Sequence, residues 1–302
     1  MTIAQTRLPS ATTDVEQLCR DLDEFGYGLL SDALTPDQVT RARDRVIEQA
    51  ECESRAGIAY GGDGRTKTVP IGPIDETTPR QAVRALMNKG SIFWELIQQP
   101  DVLRVMEHAI GPEYILTSTN AIMLRGGAKP QALHSDLNAW LPFPVAKCLF
   151  VNVMYMITDF DAARGATHVV PRTHTGPAPD YTYVTDEAGN IVDVDLPGVV
   201  SVVAEGPAGT AIIFDARVWH GGGANTSGEL RIGLQLGYTY PTLRQQDAMT
   251  NGINDDVYAA MTDEQRRLCG FATFRGGIGR MDPGTGRVNV DIQFPQVGEL
   301  HR

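Results

Sequence analysis

Short segments rich in β-branched residues, each bounded by Gly, Pro or Asp, run from about Tyr114 to Tyr240 and limit the possible folds most strongly. These segments are ILTSTNAIML, KCLFVNVMYMI, GVVSVVAEG, GTAIIFDARVW and RIGLQLGYTY. Strands of this length and spacing are typical of an all-β sandwich or barrel. We therefore expect residues of about 114–240 to form a β core.

Helical patterns flank this core on both sides. The clearest begins at Thr35-Pro36-Asp37-Gln38, where Thr is a good N-cap, Pro suits the first turn and Gln completes a capping box. Residues 56–76 are rich in Gly and have no periodicity, which indicates a long loop. The expected helices are 14–24, 35–52, Ala82–Ile97, Val102–Ile110 and Asp255–Leu268.

The chain has no internal repeat and no low-complexity linker, so we expect one domain over residues 1–302. Within it, the helices of about 14–110 precede the β core. A C-terminal helical or lid segment of about 241–302 follows it. The fold class is thus mainly β with flanking helices.

Charge and cysteine content narrow the classes of partner. The formal net charge is −11 and no basic block occurs, which argues against nucleic acid or an anionic membrane as partner. No apolar run approaches 18 residues, so no membrane-spanning helix is expected, and the first residues lack a signal-peptide pattern. The four cysteines are scattered without a CxxC pair, which favours a reducing, cytoplasmic location.

Two histidines and one aspartate form the candidate metal site. His134 and Asp136 are two residues apart, a spacing that places both side chains on one face of a strand. His220 ends the apolar segment GTAIIFDARVW and precedes three glycines. Two His and one carboxylate are the facial triad of non-haem Fe(II) oxygenases, which leaves metal positions open. Catalytic zinc sites also use three protein ligands, so the triad alone does not settle the metal.

Arg231 follows His220 by eleven residues and opens another β segment. A strand arginine that faces a pocket is costly to bury unless it meets an anion. Its planar guanidinium binds a carboxylate through two parallel hydrogen bonds. An α-keto diacid chelated to the metal has a distal carboxylate that needs such a partner, and the negative net charge makes a local cation more necessary.

These motifs together resemble the phytanoyl-CoA dioxygenase (PhyH-like) family. The resemblance rests on the HxD motif, the later His and Arg, GATHVVPRTH at 165–174, FGYGLLSDALTPDQV near the N-terminus and TLRQQDAM near residue 245. It spans residues of about 20–250 and is strongest to members that tailor natural products. One departure is Gly222, where some acyl-CoA-type members carry a hydroxyl residue, so a phytanoyl-CoA substrate is not favoured.

The resemblance implies a double-stranded β-helix core, of the jelly-roll, cupin-like type. It implies that His134, Asp136 and His220 bind Fe(II) and that Arg231 binds the C5 carboxylate of 2-oxoglutarate, with O2 as second cosubstrate. Gln131 and Thr167 are further candidate contacts to the cosubstrate or substrate. The implied reaction is oxidation of a small organic metabolite in secondary-metabolite biosynthesis, by hydroxylation or by desaturation, epoxidation or rearrangement.

Candidate substrate contacts come from position alone. Asn138 and Trp140 follow the HxD motif, and Tyr60 and Phe274 lie in Gly-rich segments that are candidate lids. His168 and His174 are read as structural or supporting residues, and His108, in a helix, as having no partner. The Gly276–Arg280 segment lacks the flanking strand and helix of a nucleotide-binding loop.

Three alternatives remain open from the sequence. One is a phytanoyl-CoA-type acyl or compatible-solute hydroxylase. Another is a cupin-type metal-dependent isomerase or lyase that uses no 2-oxoglutarate and needs no Arg231. The third is a non-catalytic binding barrel. The expected partners are a small-molecule substrate and, in a homodimer, a second copy of the chain.

Overall fold

The computed structural model describes residues 8–63, 69–70, 72–75, 77–137, 145–175, 180, 182–187, 189, 191–195, 197–281 and 287–291. Thirteen strands occur in this part of the chain and form antiparallel sheets. They are β1 (Tyr27–Leu30), β2 (Tyr60–Gly62), β3 (Val69–Pro70), β4 (Arg80–Arg84), β5 (Ile115–Leu124), β6 (Phe150–Met156), β7 (Thr167–Val170), β8 (Thr182–Thr185), β9 (Ile191–Asp195), β10 (Val202–Ala204), β11 (Ala211–Asp215), β12 (Trp219–Gly222) and β13 (Arg231–Thr239).

Two sheets build the core. The major sheet has the order β1-β11-β6-β13-β5-β4-β2-β3, and the minor sheet has the order β10-β7-β12. A separate hairpin joins β8 and β9. The architecture is the double-stranded β-helix with flanking helices, so the predicted fold class is confirmed. That the whole chain forms one domain stays a prediction.

The major sheet has two different faces because successive strand residues point to opposite sides. On β13, Ile232, Leu234 and Leu236 belong to an apolar cluster shared with the helices. Arg231 and Gln235, on the opposite face, line a cavity between the two sheets. One face therefore supplies the core and the other supplies a polar interior.

A β-bulge on β5 changes this alternation. Gly237 pairs with Ser118, but the next residue of β13 pairs with Leu116, so Thr117 is the extra residue. As a result, Leu116 packs in the helix-side cluster whereas Ser118 lines the cavity. In a regular strand, residues at this spacing would share one face. The bulge thus sets which polar side chains of β5 face the cavity.

The helices cover the outer face of the major sheet. They are α1 (Val15–Phe25), α2 (Pro36–Arg55), α3 (Ser91–Ile97) and α4 (Pro100–Ala109). The predicted capping box at the start of α2 is present, with Thr35 accepting from the Gln38 N–H and Gln38 accepting from the Thr35 N–H. Gly26 ends α1 with φ 81°, a left-handed conformation that glycine adopts without steric penalty.

The expected helix over Ala82–Ile97 is wrong in its first half. Arg80–Arg84 forms β4, and α3 begins only at Ser91. In β4, Val83 packs towards the helices while Arg80 and Arg84 face the cavity. Arginines on the interior face of a strand conceal its two-residue periodicity, because they look like solvent-facing positions in a sequence.

Two further expectations need correction. The predicted loop at 56–76 contains β2 and β3. The predicted helix Asp255–Leu268 is broken into Asp255–Ala260 and Asp263–Arg266, because Met261 is extended and Thr262 begins a new capping box with Gln265. A short helix at Met249–Gly252 precedes them, and a π-helical turn at Arg267–Phe271 follows.

The four cysteines are free. Among the described helices, none combines the length and apolar character needed to cross a bilayer.

Candidate metal centre

His134, Asp136 and His220 lie together, with their candidate ligand atoms all within 4.8 Å of one another. His134 and His220 pair as an antiparallel bridge with two backbone hydrogen bonds of 2.8 Å. The expected strand through His134 and Asp136 is not formed, since Asp136 begins a helical turn directly after the bridge. The turn still directs the carboxylate towards both imidazoles.

Backbone carbonyls fix the orientation of both imidazole rings. The Nδ1 atom of His134 lies 2.9 Å from the Ala132 carbonyl oxygen, and Nδ1 of His220 lies 3.0 Å from that of Val218. A carbonyl only accepts, so Nδ1 carries the proton and the Nε2 lone pair is available to a metal.

The Nε2 atoms face the Asp136 carboxylate at a distance that suits a bridging ion. They lie 3.6 Å (His134) and 3.7 Å (His220) from its oxygens. These separations are too long for hydrogen bonds, whereas an ion between the atoms would bring each within normal coordination distance.

Burial keeps His220 neutral. It lowers the pKa of His220 from its ordinary value to about 4, and the neighbouring His134 acts in the same direction, while Asp136 opposes both. A neutral imidazole is the form that ligates a metal, so this site needs no deprotonation step at neutral pH.

Asn152 and Gln235 hold the aspartate ligand and were missed from the sequence. Asn152 is fully buried and donates from Nδ2 to Asp136 Oδ2 at 2.9 Å. Its Oδ1 accepts from Gln235 Nε2 at 3.2 Å. The only sequence signal was a polar residue inside an otherwise apolar strand, which is costly unless the residue has a specific partner.

Arg231 is buried in the same cavity as the metal-ligating group. It is 3% exposed, its guanidinium lies over the Phe160 ring at 3.8 Å, and its Nε has no hydrogen-bond partner in the described part of the chain. Burial, followed by repulsion from Arg80, lowers the pKa of Arg231 to about 9, so it remains a cation at neutral pH. Among described residues, no carboxylate forms an ion pair with it. A buried cation without a counter-charge fits a carboxylate ligand.

Arg80 is a second buried arginine in the cavity. It faces Arg231 across β5, because both residues pair with Leu124. Burial lowers the pKa of Arg80 to about 10, with Arg84 acting in the same direction and Asp63 against it. Two guanidinium groups on one face make this end of the cavity strongly basic, although the chain as a whole is acidic.

The cavity has a volume of about 430 Å³ and includes the metal-ligating group and Arg231. Gln131 and Thr167 also line it. Gln131 Oε1 accepts from the Gly222 N–H at 3.1 Å, and Thr167 pairs with Gly222 across the minor sheet. A Cβ at Gly222 would lie 3.0 Å from Gln131 Oε1, so a side chain there would displace Gln131. Contacts of Gln131 and Thr167 with a cosubstrate remain a prediction.

Tyr60 and Phe274 lie elsewhere among the described residues. Tyr60 is on β2 with the Arg84 guanidinium over its ring at 4.6 Å, and Phe274 packs edge-on against Tyr240 at 5.2 Å. Neither is among the described residues that line the cavity, and their role as lids stays a prediction. Asn138 and Trp140 lie outside the described residues.

The other histidines take structural positions. His168 Nδ1 lies 3.4 Å from Ser201 Oγ, and His174 Nε2 lies 3.0 Å from the Asp23 carbonyl oxygen. Neither belongs to the metal-ligating group. The expectation that His108 has no partner is wrong, because its Nε2 lies 2.9 Å from Asp23 Oδ2.

The fold and this centre together are those of a mononuclear metal enzyme of the double-stranded β-helix class. The sequence model of the phytanoyl-CoA dioxygenase (PhyH) family matches residues 22–233. The chain therefore belongs to the PhyH family and is an iron- and 2-oxoglutarate-dependent oxidoreductase, as the sequence predicted.

Several named relatives are similar over most of the chain. Dioxygenase FrzG from Cladobotryum sp is 26% identical, covering 88% of this chain and 87% of that protein. Dioxygenase af480 from Aspergillus fumigatus is 25% identical, covering 85% and 77%. The uncharacterised protein Rv1501 from Mycobacterium tuberculosis is 26% identical, covering 86% and 88%.

Solved structures share the fold at low sequence identity. The epimerase SnoN, in complex with Fe3+, alpha ketoglutarate and nogalamycin RO, has a TM-score of 0.56 and 20% identity, covering 77% of this chain and 86% of SnoN. The alpha ketoglutarate-dependent carbocyclase SnoK from nogalamycin biosynthesis has a TM-score of 0.58 and 19% identity, covering 84% and 94%.

Proposed function

We propose that His134, Asp136 and His220 hold Fe(II) and that Arg231 binds the C5 carboxylate of 2-oxoglutarate during oxidation of a small organic metabolite. One observation carries this proposal: two oriented Nε2 atoms and a carboxylate share a cavity with a buried guanidinium that has no carboxylate partner in the described chain. A metal centre alone explains the triad, but it does not explain the buried cation.

The protein residues have separate tasks in this scheme. The three residues would hold the metal and leave coordination positions for 2-oxoglutarate and O2. Bound iron would supply O2 activation coupled to oxidative decarboxylation of 2-oxoglutarate to succinate and CO2. Asn152 holds Asp136 in its ligating orientation, and the carbonyls behind His134 and His220 do the same for the imidazoles.

The cavity walls around the cosubstrate are mixed in character. Phe214 and Met154 supply apolar surface near the ligands, which limits water next to the reacting atoms. Arg80 adds positive charge beside Arg231, which favours a dianionic cosubstrate over a neutral one. Gln131 and Thr167 are proposed as further polar contacts to cosubstrate or substrate.

The reaction type extends beyond hydroxylation in this proposal. The relatives are named dioxygenases, and the structural neighbours are named an epimerase and a carbocyclase of nogalamycin biosynthesis. We therefore propose a role in secondary-metabolite biosynthesis, with hydroxylation, desaturation, epoxidation or rearrangement as the outcome. A cytoplasmic location and a homodimer are part of the same proposal.

The deciding experiment measures cosubstrate binding and turnover. We expect the chain loaded with Fe(II) under argon to develop a visible absorption band on addition of 2-oxoglutarate, and to release succinate when O2 is admitted. His220→Ala should lose iron binding, whereas Arg231→Leu should keep iron and lose the band at moderate 2-oxoglutarate. If the iron-loaded wild type shows no band and releases no succinate, the result favours the isomerase or lyase that uses no 2-oxoglutarate.

A further inference from the structure

One wall of the cavity carries polar side chains that are neither among the proposed metal ligands nor among the proposed 2-oxoglutarate contacts. β5 and β13 place Asn120 and Gln235 directly opposite each other, and both line the cavity. Ser118 follows on the same face and is 1% exposed. Asp247 joins them from the segment after β13, where its Oδ2 accepts from the Thr119 N–H at 3.2 Å.

The hydrogen bonds that begin at Asp136 determine which atom of the Gln235 amide donates and which is left to accept. Asp136 is an acceptor only, so Asn152 must present its Nδ2 to it, as observed. Asn152 then has only Oδ1 left for Gln235, which must donate from Nε2. The remaining Oε1 of Gln235 is therefore an acceptor that this chain of hydrogen bonds leaves unused.

The wall offers further acceptor atoms, of which the Ser118 hydroxyl can also donate. Asn120 Oδ1 and Ser118 Oγ are buried and have no hydrogen-bond partner in the described chain. Buried polar atoms of this kind are costly unless a ligand or water pairs with them. Burial raises the pKa of Asp247, while the Thr119 N–H and the positive charge of Arg84 act in the opposite direction.

We propose that Ser118, Asn120, Gln235 and Asp247 form the substrate subsite and select a molecule that donates hydrogen bonds through at least two hydroxyl groups. The charge of Arg84, which pairs with Asn120 from the neighbouring strand β4, offsets that of Asp247, so the wall favours neutral hydroxyls over an ammonium group. This inference rests on the proposed function, because it takes the cavity to be where oxidation occurs.

The test uses three probes that share a six-membered carbon ring. They are myo-inositol, which donates through hydroxyls, cyclohexylamine, which presents an ammonium, and cyclohexanone, which only accepts. Each is titrated into the full chain loaded with Fe(II) and 2-oxoglutarate under argon, with the visible band as readout, and into the metal-free chain, with melting temperature as readout. Formation of the band by 2-oxoglutarate tests the proposed function separately from any response to the probes.

We expect inositol to perturb the band and raise the melting temperature more than the other probes do. Asn120→Leu should weaken inositol binding about tenfold, the size expected for one lost hydrogen bond. Ser118→Ala, which removes a single oxygen, covers the case in which Asn120→Leu fails to fold. Asn251→Leu changes an exposed amide outside the cavity and should leave inositol binding unaltered.

Other outcomes overturn the subsite. A preferred response to cyclohexylamine would make it an ammonium site, and one to cyclohexanone would make the wall a donor. If inositol produces no response while 2-oxoglutarate forms its band, the subsite is wrong and the iron site stands.

Discussion

Arg231 combines a stability penalty with the proposed role of binding 2-oxoglutarate. Burial disfavours its charge, and no carboxylate among the described residues offsets this effect. We expect Arg231→Leu to leave the ligand-free chain as stable as wild type or more so, and to weaken 2-oxoglutarate binding on the order of 100-fold. Calorimetric titration and thermal melting measure the two effects. Arg43→Leu, on the exposed face of α2, should change neither, and a less stable Arg231→Leu that still binds 2-oxoglutarate would contradict this account.

His220 gives the metal-free protein a defined pH dependence. Its pKa is about 4 in the folded state, below the ordinary value of 6.5, so the unfolded chain takes up the proton first as pH falls. The stabilising effect of neutral His220 is fully present above about pH 6.5 and is lost as the pH approaches 4. Urea unfolding in EDTA at several pH values should show this slope. His220→Asn should reduce it, and equal slopes in both proteins would refute the assignment.

A substitution of Asn152 tests how far iron affinity depends on residues that do not contact the metal. Asn152→Leu keeps the side-chain size but removes the hydrogen bond to Asp136. We expect iron affinity to fall roughly 10- to 100-fold, the range typical of partners that orient metal ligands. Competition with a chelator measures this change. Asn254→Leu, an exposed residue outside the cavity, is the matched control, and an unchanged affinity in Asn152→Leu would show that Asp136 is positioned by the backbone alone.

At the scale of elements, close approach of the residue after β12 to the segment before β7 explains why position 223 is a glycine. A Cβ at Gly223 would lie 2.8 Å from the Ala166 carbonyl oxygen, and backbone cannot move aside as a flexible side chain can. We expect Gly223→Ala to lower the free energy of unfolding by about 1–3 kcal/mol and to weaken iron binding through the shifted strand.

Gly228→Ala is the control for this substitution, because no atom lies within 4 Å of a Cβ there. It should be neutral, or stabilising by about 0.4–1 kcal/mol through the unfolded state. Chemical denaturation of both variants measures the difference. Equal destabilisation by the two would mean that the clash at Gly223 is absorbed elsewhere.

The elements also explain what the sequence could and could not predict. β5, β6 and β13 were found because their apolar faces pack against helices and give a clear pattern. β4 was taken for a helix because Arg80 and Arg84 occupy interior positions of the strand, where the sequence pattern suggests solvent-facing residues. His134, Asp136 and His220 were predicted by residue type, and the structure brings them together. Asn152 and Gln235 were not, because their roles depend on strand register, which arises from non-local pairing.

At the scale of the whole molecule, the main apolar cluster lies between the helices and the outer face of the major sheet, away from the metal centre. We therefore expect the chain to stay folded after metal removal, unlike small domains that fold only around zinc. EDTA should leave the far-UV circular dichroism unchanged and lower the melting temperature by roughly 5–10 °C through lost ligand binding. Loss of secondary structure in EDTA would show that the metal is structural.

The alternation of β5 has a consequence for how chains of this kind diversify. Ala121 and Met123 pack towards the helices, whereas Ser118, Asn120 and Ile122 border the cavity. Mutations in the second set can alter which compounds are accepted while the first set keeps the scaffold intact. Directed evolution of selectivity should therefore concentrate its useful substitutions at every other position of this one strand.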